Sequence, residues 1–209
     1  MTSSLVTLAT IGVVQLLAVI SPGPSFLITA RTAVARSRAA GIRVALGLGA
    51  GTVIWSSAAL LGLNFLFRRQ WLFMAMKAGG ALFLIWIAIQ IFRHAADPVE
   101  MDLRKSKGGE RNPIIQGFLT QISNPKVAVF FGSIFIAMLP REVAPSMIAA
   151  LIVIVTLNEI VWYSCVALFF GSPPVRRGYL LAKRWIDRTT GLFLGALGLR
   201  LVWHAGDAA

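Results

Sequence analysis

Residues 5–30 read LVTLATIGVVQLLAVISPGPSFLITA, and residues 113–139 read PIIQGFLTQISNPKVAVFFGSIFIAML. Each is an apolar run long enough to cross a bilayer, which takes about 20 residues. Each is also interrupted by proline: Ser21-Pro22-Gly23-Pro24 in the first, Asn124-Pro125-Lys126 in the second. Proline lacks an N–H and clashes with the preceding turn, so both runs are predicted to break partway along. Backbone groups freed inside lipid must then find partners within the protein.

The rest of the chain fits a membrane protein. It has 209 residues, of which 57% are hydrophobic and 13% charged, which is too apolar for a soluble domain. The formal net charge of +12 sits between apolar runs and forms no continuous basic face, so it reads as a topology signal and not as a nucleic-acid surface. Six spans are predicted: Leu5–Ala30, Val44–Phe67, Gln70–Phe92, Pro113–Leu139, Pro145–Gly171 and Trp185–Trp203. Arg31, Arg36, Arg38 and Arg43 fall in the first connection. Arg93, Arg104, Lys105, Lys107 and Arg111 fall in the third, and Arg176, Arg177, Lys183, Arg184 and Arg188 in the fifth. The second has only Arg68 and Arg69, and the fourth only Arg141. The positive-inside rule therefore places both termini outside.

The expected fold is all-α, a single polytopic transmembrane domain over 1–209. A first repeat covers 1–93, a polar cytoplasmic linker 94–112 and a second repeat 113–209. Three spans per repeat force the second to insert upside down relative to the first. Pro22 and Pro125 share one separation, 103 residues, with Trp55 and Asn158. Inverted three-helix repeats with broken helices 1 and 4 are a transporter construction, in which half-helix ends meet near the bilayer midplane.

The half-helices after Pro24 and after Lys126 are both expected to start near the midplane. Their free N–H groups and positive dipole ends suit a carboxylate. Packing kinks are the plainer account of either break alone, but a matched pair flanked by Ser21 and Asn124 favours a site. Gly23 would let ligand or backbone approach closely. Lys126 and Glu159 are the deepest ionisable residues. A charge at a helix centre costs about 2.5–3.5 kcal/mol, so both are expected to face a polar cavity or each other. Glu159 can attract an ammonium group or carry a coupling proton, with Asn158, Trp162 and Tyr163 around it and Trp55 in the related span. The substrate-binding set is thus Ser21, Pro22, Gly23, Pro24, Asn124, Pro125, Lys126, Asn158, Glu159 and Tyr163. Lys77 and Arg200 lie near span ends, where snorkelling explains them. Gly47/Gly51 and Gly191/Gly195 have GxxxG spacing, suited to close helix contact within the chain or in a homodimer.

Other functions lack their residues. Cys165 is the only cysteine, so no intrachain disulfide is available. No glycine-rich loop followed by Lys-Ser/Thr is present for ATP, and His94 and His204 are isolated. No metal, cofactor or catalytic constellation is expected.

Two signatures carry a resemblance. The first is Ser21-Pro-Gly-Pro24 followed by Arg36-Ser-Arg-Ala-Ala-Gly41 and Ala45-Leu-Gly-Leu-Gly-Ala-Gly51. The second is Asn124-Pro-Lys-Val-Ala-Val-Phe-Phe131 ending in Met138-Leu-Pro140. With Lys77-Ala-Gly-Gly-Ala-Leu-Phe-Leu84 and Gly191-Leu-Phe-Leu-Gly-Ala-Leu-Gly-Leu-Arg-Leu201, the chain resembles the LysE/RhtB family of bacterial amino-acid exporters along nearly its whole length. The resemblance implies about six helices in the bacterial cytoplasmic (inner) membrane. It also implies efflux of amino acids or close derivatives, driven by an ion gradient and not by ATP; the expected mechanism is alternating access with a proton as coupling ion. The family's acidic residue in the fifth span corresponds to Glu159, and its third-span tyrosine is replaced by Phe83. The competing reading is a membrane scaffold whose breaks serve packing alone.

Overall fold

Proline sets where the helices start. The computed structural model describes residues 2–67, 70–97, 112–139 and 143–206. These form α1 (Thr2–Ile20), α2 (Pro24–Ala35), α3 (Arg38–Phe67), α4 (Gln70–Arg93), a 3₁₀ turn (His94–Ala96), α5 (Pro113–Ile122), α6 (Pro125–Met138), α7 (Pro145–Phe169) and α8 (Pro173–Gly206). Five of these helices open on proline. At that position the missing N–H costs nothing and the fixed φ is already helical. Most of the expected linker lies outside the described residues, as do Arg68, Arg69 and Arg141; so do the side chains of Lys77, Arg200 and His204.

Three helical stretches, Arg38–Gly62, Ala78–Ala96 and Pro145–Phe169, are long and apolar enough to cross a membrane. The pair Leu5–Ile20 and Pro24–Ala35, bent by 57°, makes a fourth when taken as one span. The other two of the six expected spans take different forms. The run at 113–139 splits into α5 and α6, of which Pro125–Ile136 is a shorter apolar helix.

The last run is part of a longer helix than expected. α8 takes in most of the stretch expected as the fifth connection, so that Arg176, Arg177, Lys183, Arg184 and Arg188 are helical and only residues 170–172 link α7 to α8. Pro173 and Pro174 start the helix early, and Lys183 and Asp187, four residues apart, turn inward as an ion pair of 2.9 Å.

The two breaks are also not aligned as the 103-residue spacing predicted. Pro24, not Pro22, opens the downstream half-helix as Pro125 does.

Two apolar clusters hold the helices together. One gathers Ile11, Val14, Leu84, Phe131, Ile134, Phe135, Leu151 and Leu194 from α1, α4, α6, α7 and α8. The other gathers Val19, Phe26, Val44, Leu48, Tyr163 and Phe170 from α1, α2, α3 and α7. α3 packs along α5 and α7, and α4 along α8 and α6. Outward faces stay apolar, with Leu61, Leu82, Val153, Val161, Leu192 and Leu199 exposed, as a surface solvated by lipid requires.

Both glycine pairs face neighbouring helices of the same chain. A Cβ on Gly47 would strike the Ile114 carbonyl of α5, and one on Gly51 the Gln121 side chain. A Cβ on Gly191 would meet the Ala88 carbonyl at 2.9 Å and one on Gly195 the Ala88 Cβ at 3.5 Å.

Candidate functional site

The two breaks lie side by side between the apolar clusters. Asn124, which caps α6, donates from Nδ2 to Ser25 Oγ in the first turn of α2 at 3.2 Å. A cavity opens between the breaks, bounded by Gln15, Ser21, Gly23, Ser25, Asn124, Lys126, Glu159 and Tyr163 and closed by Val127, Phe130 and Phe131. Pro22, Pro24 and Pro125 do not line it. They create the breaks.

The backbone groups freed at the first break find partners in other helices. The Ala18 and Ser21 carbonyls accept from Lys126 Nζ at 2.9 and 3.4 Å. The Ile20 carbonyl accepts from the Tyr179 hydroxyl at 2.8 Å; the Leu17 carbonyl, which keeps its helical bond from the Ser21 N–H at 3.3 Å, also accepts from Thr190 Oγ1 at 3.4 Å. Lys126 therefore brings its charge from the start of α6 to the C-terminal end of α1, where the helix dipole is negative. An ammonium has three donors, so one N–H remains beyond these two carbonyls. From the start of α6 Lys126 thus caps the other break while lining the cavity between the two. No ion pair joins it to Glu159 among the described residues.

The two half-helix starts are not equivalent. At α6 the Asn124 Oδ1 accepts from the Lys126 N–H at 3.1 Å, so the chain fills its own N-terminus. At α2 the capping residue is Gly23, with no side chain to cap it. Gly23 is extended (φ −157°), and a Cβ built there would meet nothing within 4 Å. Of the two half-helix starts, that of α2 is therefore the one without a side-chain cap.

Glu159, 3% exposed, is held by two amides. Gln15 Nε2 donates to one carboxylate oxygen at 3.0 Å, and Gln121 Nε2 to the other at 2.5 Å. Gln121 also donates to Thr52 Oγ1 at 2.8 Å and accepts from Ser25 Oγ at 2.8 Å, while its carbonyl accepts from Trp55 Nε1 at 3.3 Å. This one side chain, wholly buried in the last turn of α5, thus ties Glu159 to α2 and α3. Asn158 falls outside the cavity, contrary to the expectation that it binds substrate. Its Nδ2 donates to Gln15 Oε1 at 2.9 Å and to the Gly12 carbonyl at 3.0 Å, so it orients Gln15 from the side of a surface groove between α1 and α7. Trp162 packs toward Tyr179 with ring centroids 6.4 Å apart, and its indole N–H is buried without a partner.

A second buried network reaches the first break from α8. Ser21 Oγ donates to Asp187 Oδ1 at 2.9 Å, and Lys183, paired with Asp187, also donates to the His94 and Ala95 carbonyls at 3.0 and 3.2 Å. Lys183 thereby caps the end of α4 as Lys126 caps α1. Gln15, Ser25, Thr52, Gln121 and Asp187 were not anticipated. The available signal was a polar residue set within an apolar run, where burial requires a partner.

The space in the cavity open to a water-sized sphere is about 30 Å³, room for about two waters. A free amino acid does not fit without movement of the surrounding helices.

The profile of a family described as LysE type translocator matches residues 16–205. The chain is 32% identical over 204 residues to a threonine efflux protein of Salmonella typhi, covering 92% of this chain and 96% of that protein. It is 31% identical over 201 residues to the threonine efflux protein of Escherichia coli K12, covering 92% and 96%. It is 27% identical over 186 residues to the uncharacterized membrane protein YahN of the same organism, covering 88% and 83%. No solved structure matches.

Proposed function

The chain belongs to the LysE type translocator family, and we propose that it exports an amino acid or close derivative from the cytoplasm by alternating access, driven by an ion gradient. One observation carries the reading. A buried carboxylate, Glu159, faces a cavity bounded by both helix breaks, and a carboxylate so buried needs a cation or a proton. A zwitterion supplies the cation: its ammonium would meet Glu159, and its own carboxylate the uncapped start of α2 and the remaining N–H of Lys126. Relatives named threonine efflux proteins make threonine the first cargo to test.

Three helix contacts pair up as inverted repeats would have them, although those of α4 with α6 and of α2 with α3 have no counterpart of like extent among the described residues. The contact of α3 with α5 is answered by α7 with α1, that of α2 with α7 by α6 with α3, and that of α2 with α5 by α6 with α1. Helices α3 and α7 pack together, as do α4 and α8, and a pseudo-two-fold axis would exchange each pair with itself. Movement of one three-helix set against the other would widen the narrow cavity and expose it to each side in turn. In this reading the protein is a multi-pass bacterial inner-membrane protein with both termini outside, and Glu159 carries the coupling proton.

Purified protein should be stabilised saturably by its cargo, since a ligand that binds only the folded state raises apparent stability. Cells expressing it should survive toxic amino-acid analogues, and preloaded vesicles should release amino acid when a gradient is imposed. A protein that responds to no amino acid in all three assays would be a scaffold.

Gly23 offers a narrower test. A methyl group there has space in the protein but adds bulk to the cavity that Gly23 lines. Gly23→Ala should fold normally, within about 0.5 kcal/mol of the parent, yet weaken cargo stabilisation and raise the concentration for half-maximal efflux by about tenfold. Unchanged efflux would place the cargo elsewhere.

A further inference from the structure

A second hollow lies on the outside of the helix bundle. α4 and α8 run antiparallel, with Gly191 against Ala88 and Phe92 and Gly198 against Ile85. Between them is an open apolar groove of about 380 Å³ by the measure that gives the central cavity about 30 Å³. Ile89, Phe92, Leu192 and Leu199 on its walls are 49%, 50%, 70% and 63% exposed. Its surroundings are therefore lipid.

The groove has a charged end and an apolar end. Arg93 closes it on α4. On α8, Arg188 lies one turn before Leu192, on the same helix face, with its guanidinium 5.7 Å from the centre of the Phe92 ring and its Nε buried without a hydrogen-bond partner. Of the nearby acids among the described residues, Asp187 is paired with Lys183, and Asp97 lies a turn beyond the groove. From Ile85 to Arg93 the α4 wall runs about 12 Å at 1.5 Å per residue. That is close to one leaflet, about 15 Å of the roughly 30 Å hydrocarbon core.

We propose that this groove binds one acyl chain of an anionic phospholipid, with its phosphate held by Arg93 and Arg188. The length matches a chain entering from one leaflet, and Arg93, which lines the groove, and Arg188, over the adjacent Phe92, mark the end that would meet the headgroup. Basic pockets between transmembrane helices on the cytoplasmic side hold anionic headgroups in this way. Arginine suits the task because its planar fork engages phosphate oxygens in pairs. A zwitterionic lipid offers the same chain but a headgroup whose positive charge opposes the two arginines.

The test uses full-length protein in neutral detergent, with bound lipid counted by native mass spectrometry and stability followed by thermal unfolding. Phosphatidylglycerol should bind saturably and raise the unfolding temperature more than phosphatidylcholine. Arg93→Gln with Arg188→Gln should weaken phosphatidylglycerol about 10- to 30-fold, and Arg93→Lys with Arg188→Lys should restore most of the binding. Ala196→Trp, at an exposed position on the groove wall, should block the acyl chain with both arginines intact. Equal binding of the two lipids would overturn the proposal. So would full binding by the Gln pair or by Ala196→Trp, or stabilisation by inorganic phosphate alone equal to that by the lipid.

Discussion

Glu159→Gln is expected to abolish gradient-driven efflux while the protein still folds. The carboxylate is buried and both of its oxygens accept from amides, Gln15 on one side and Gln121 on the other. Four lone-pair directions are available on a carboxylate, so two remain for a ligand ammonium. Removing the charge removes the partner of that ammonium, and truncating one member of a buried charge pair costs roughly 2–5 kcal/mol, or about 30- to 4,000-fold in affinity. Among the described residues it also removes the only acidic side chain lining the cavity, so a proton would have no carboxylate from them to carry it. Folding responds differently. The new amide turns an NH₂ toward one of two N–H donors, which costs about 1–3 kcal/mol for the unmet group. Relief of a buried, unpaired charge offsets much of that cost. Thermal unfolding and gel filtration should therefore stay near wild type while efflux from preloaded vesicles falls to background. Wild-type efflux by the variant would remove Glu159 from the mechanism.

The two breaks and Glu159 were legible because each violates a strong rule: proline inside a spanning run, or a charge within it. Their partners were not, for reasons that differ residue by residue. Gln121 and Gln15 are polar but uncharged, and nothing in the sequence states that both amides point at one carboxylate 38 and 144 residues away. Lys126 stands next to Pro125, and its place in the sequence says nothing of the other break. Only tertiary packing brings the last carbonyls of α1 within reach of its amine. Lys183 and Asp187 were hidden by charge counting, since basic residues after a span read as a connection, whereas here α8 begins at Pro173 and buries the pair. The break residues Pro22 and Pro24 are two apart, and spacing alone did not distinguish the proline that ends one helix from the one that starts the next.

Gly117→Val should be the most damaging single change to the fold. Helices α3 and α5 meet through glycines that face each other's backbone: a Cβ on Gly117 would strike the Val44 carbonyl, and one on Gly47 the Ile114 carbonyl. A backbone atom cannot rotate aside, so any side chain there must separate the helices. Overpacking of this kind costs about 3 kcal/mol or more, and in a membrane close approach through small residues is itself a main source of helix association. The damage would reach the site, because α5 ends in Gln121, which reaches Thr52 of α3 and Glu159 of α7. Gly132→Ala and Gly178→Ala are the controls, as a Cβ at either meets nothing within 4 Å, and both should melt at or slightly above the wild-type temperature. Thermal unfolding of the purified variants decides the matter, and a Gly117→Val protein that melts with the controls would mean that α3 and α5 do not touch backbone to backbone. Because that contact carries Gln121 and the second break, the same variant should lose efflux even in the fraction that folds. The alignment of the two breaks thus depends on two residues that have no side chain.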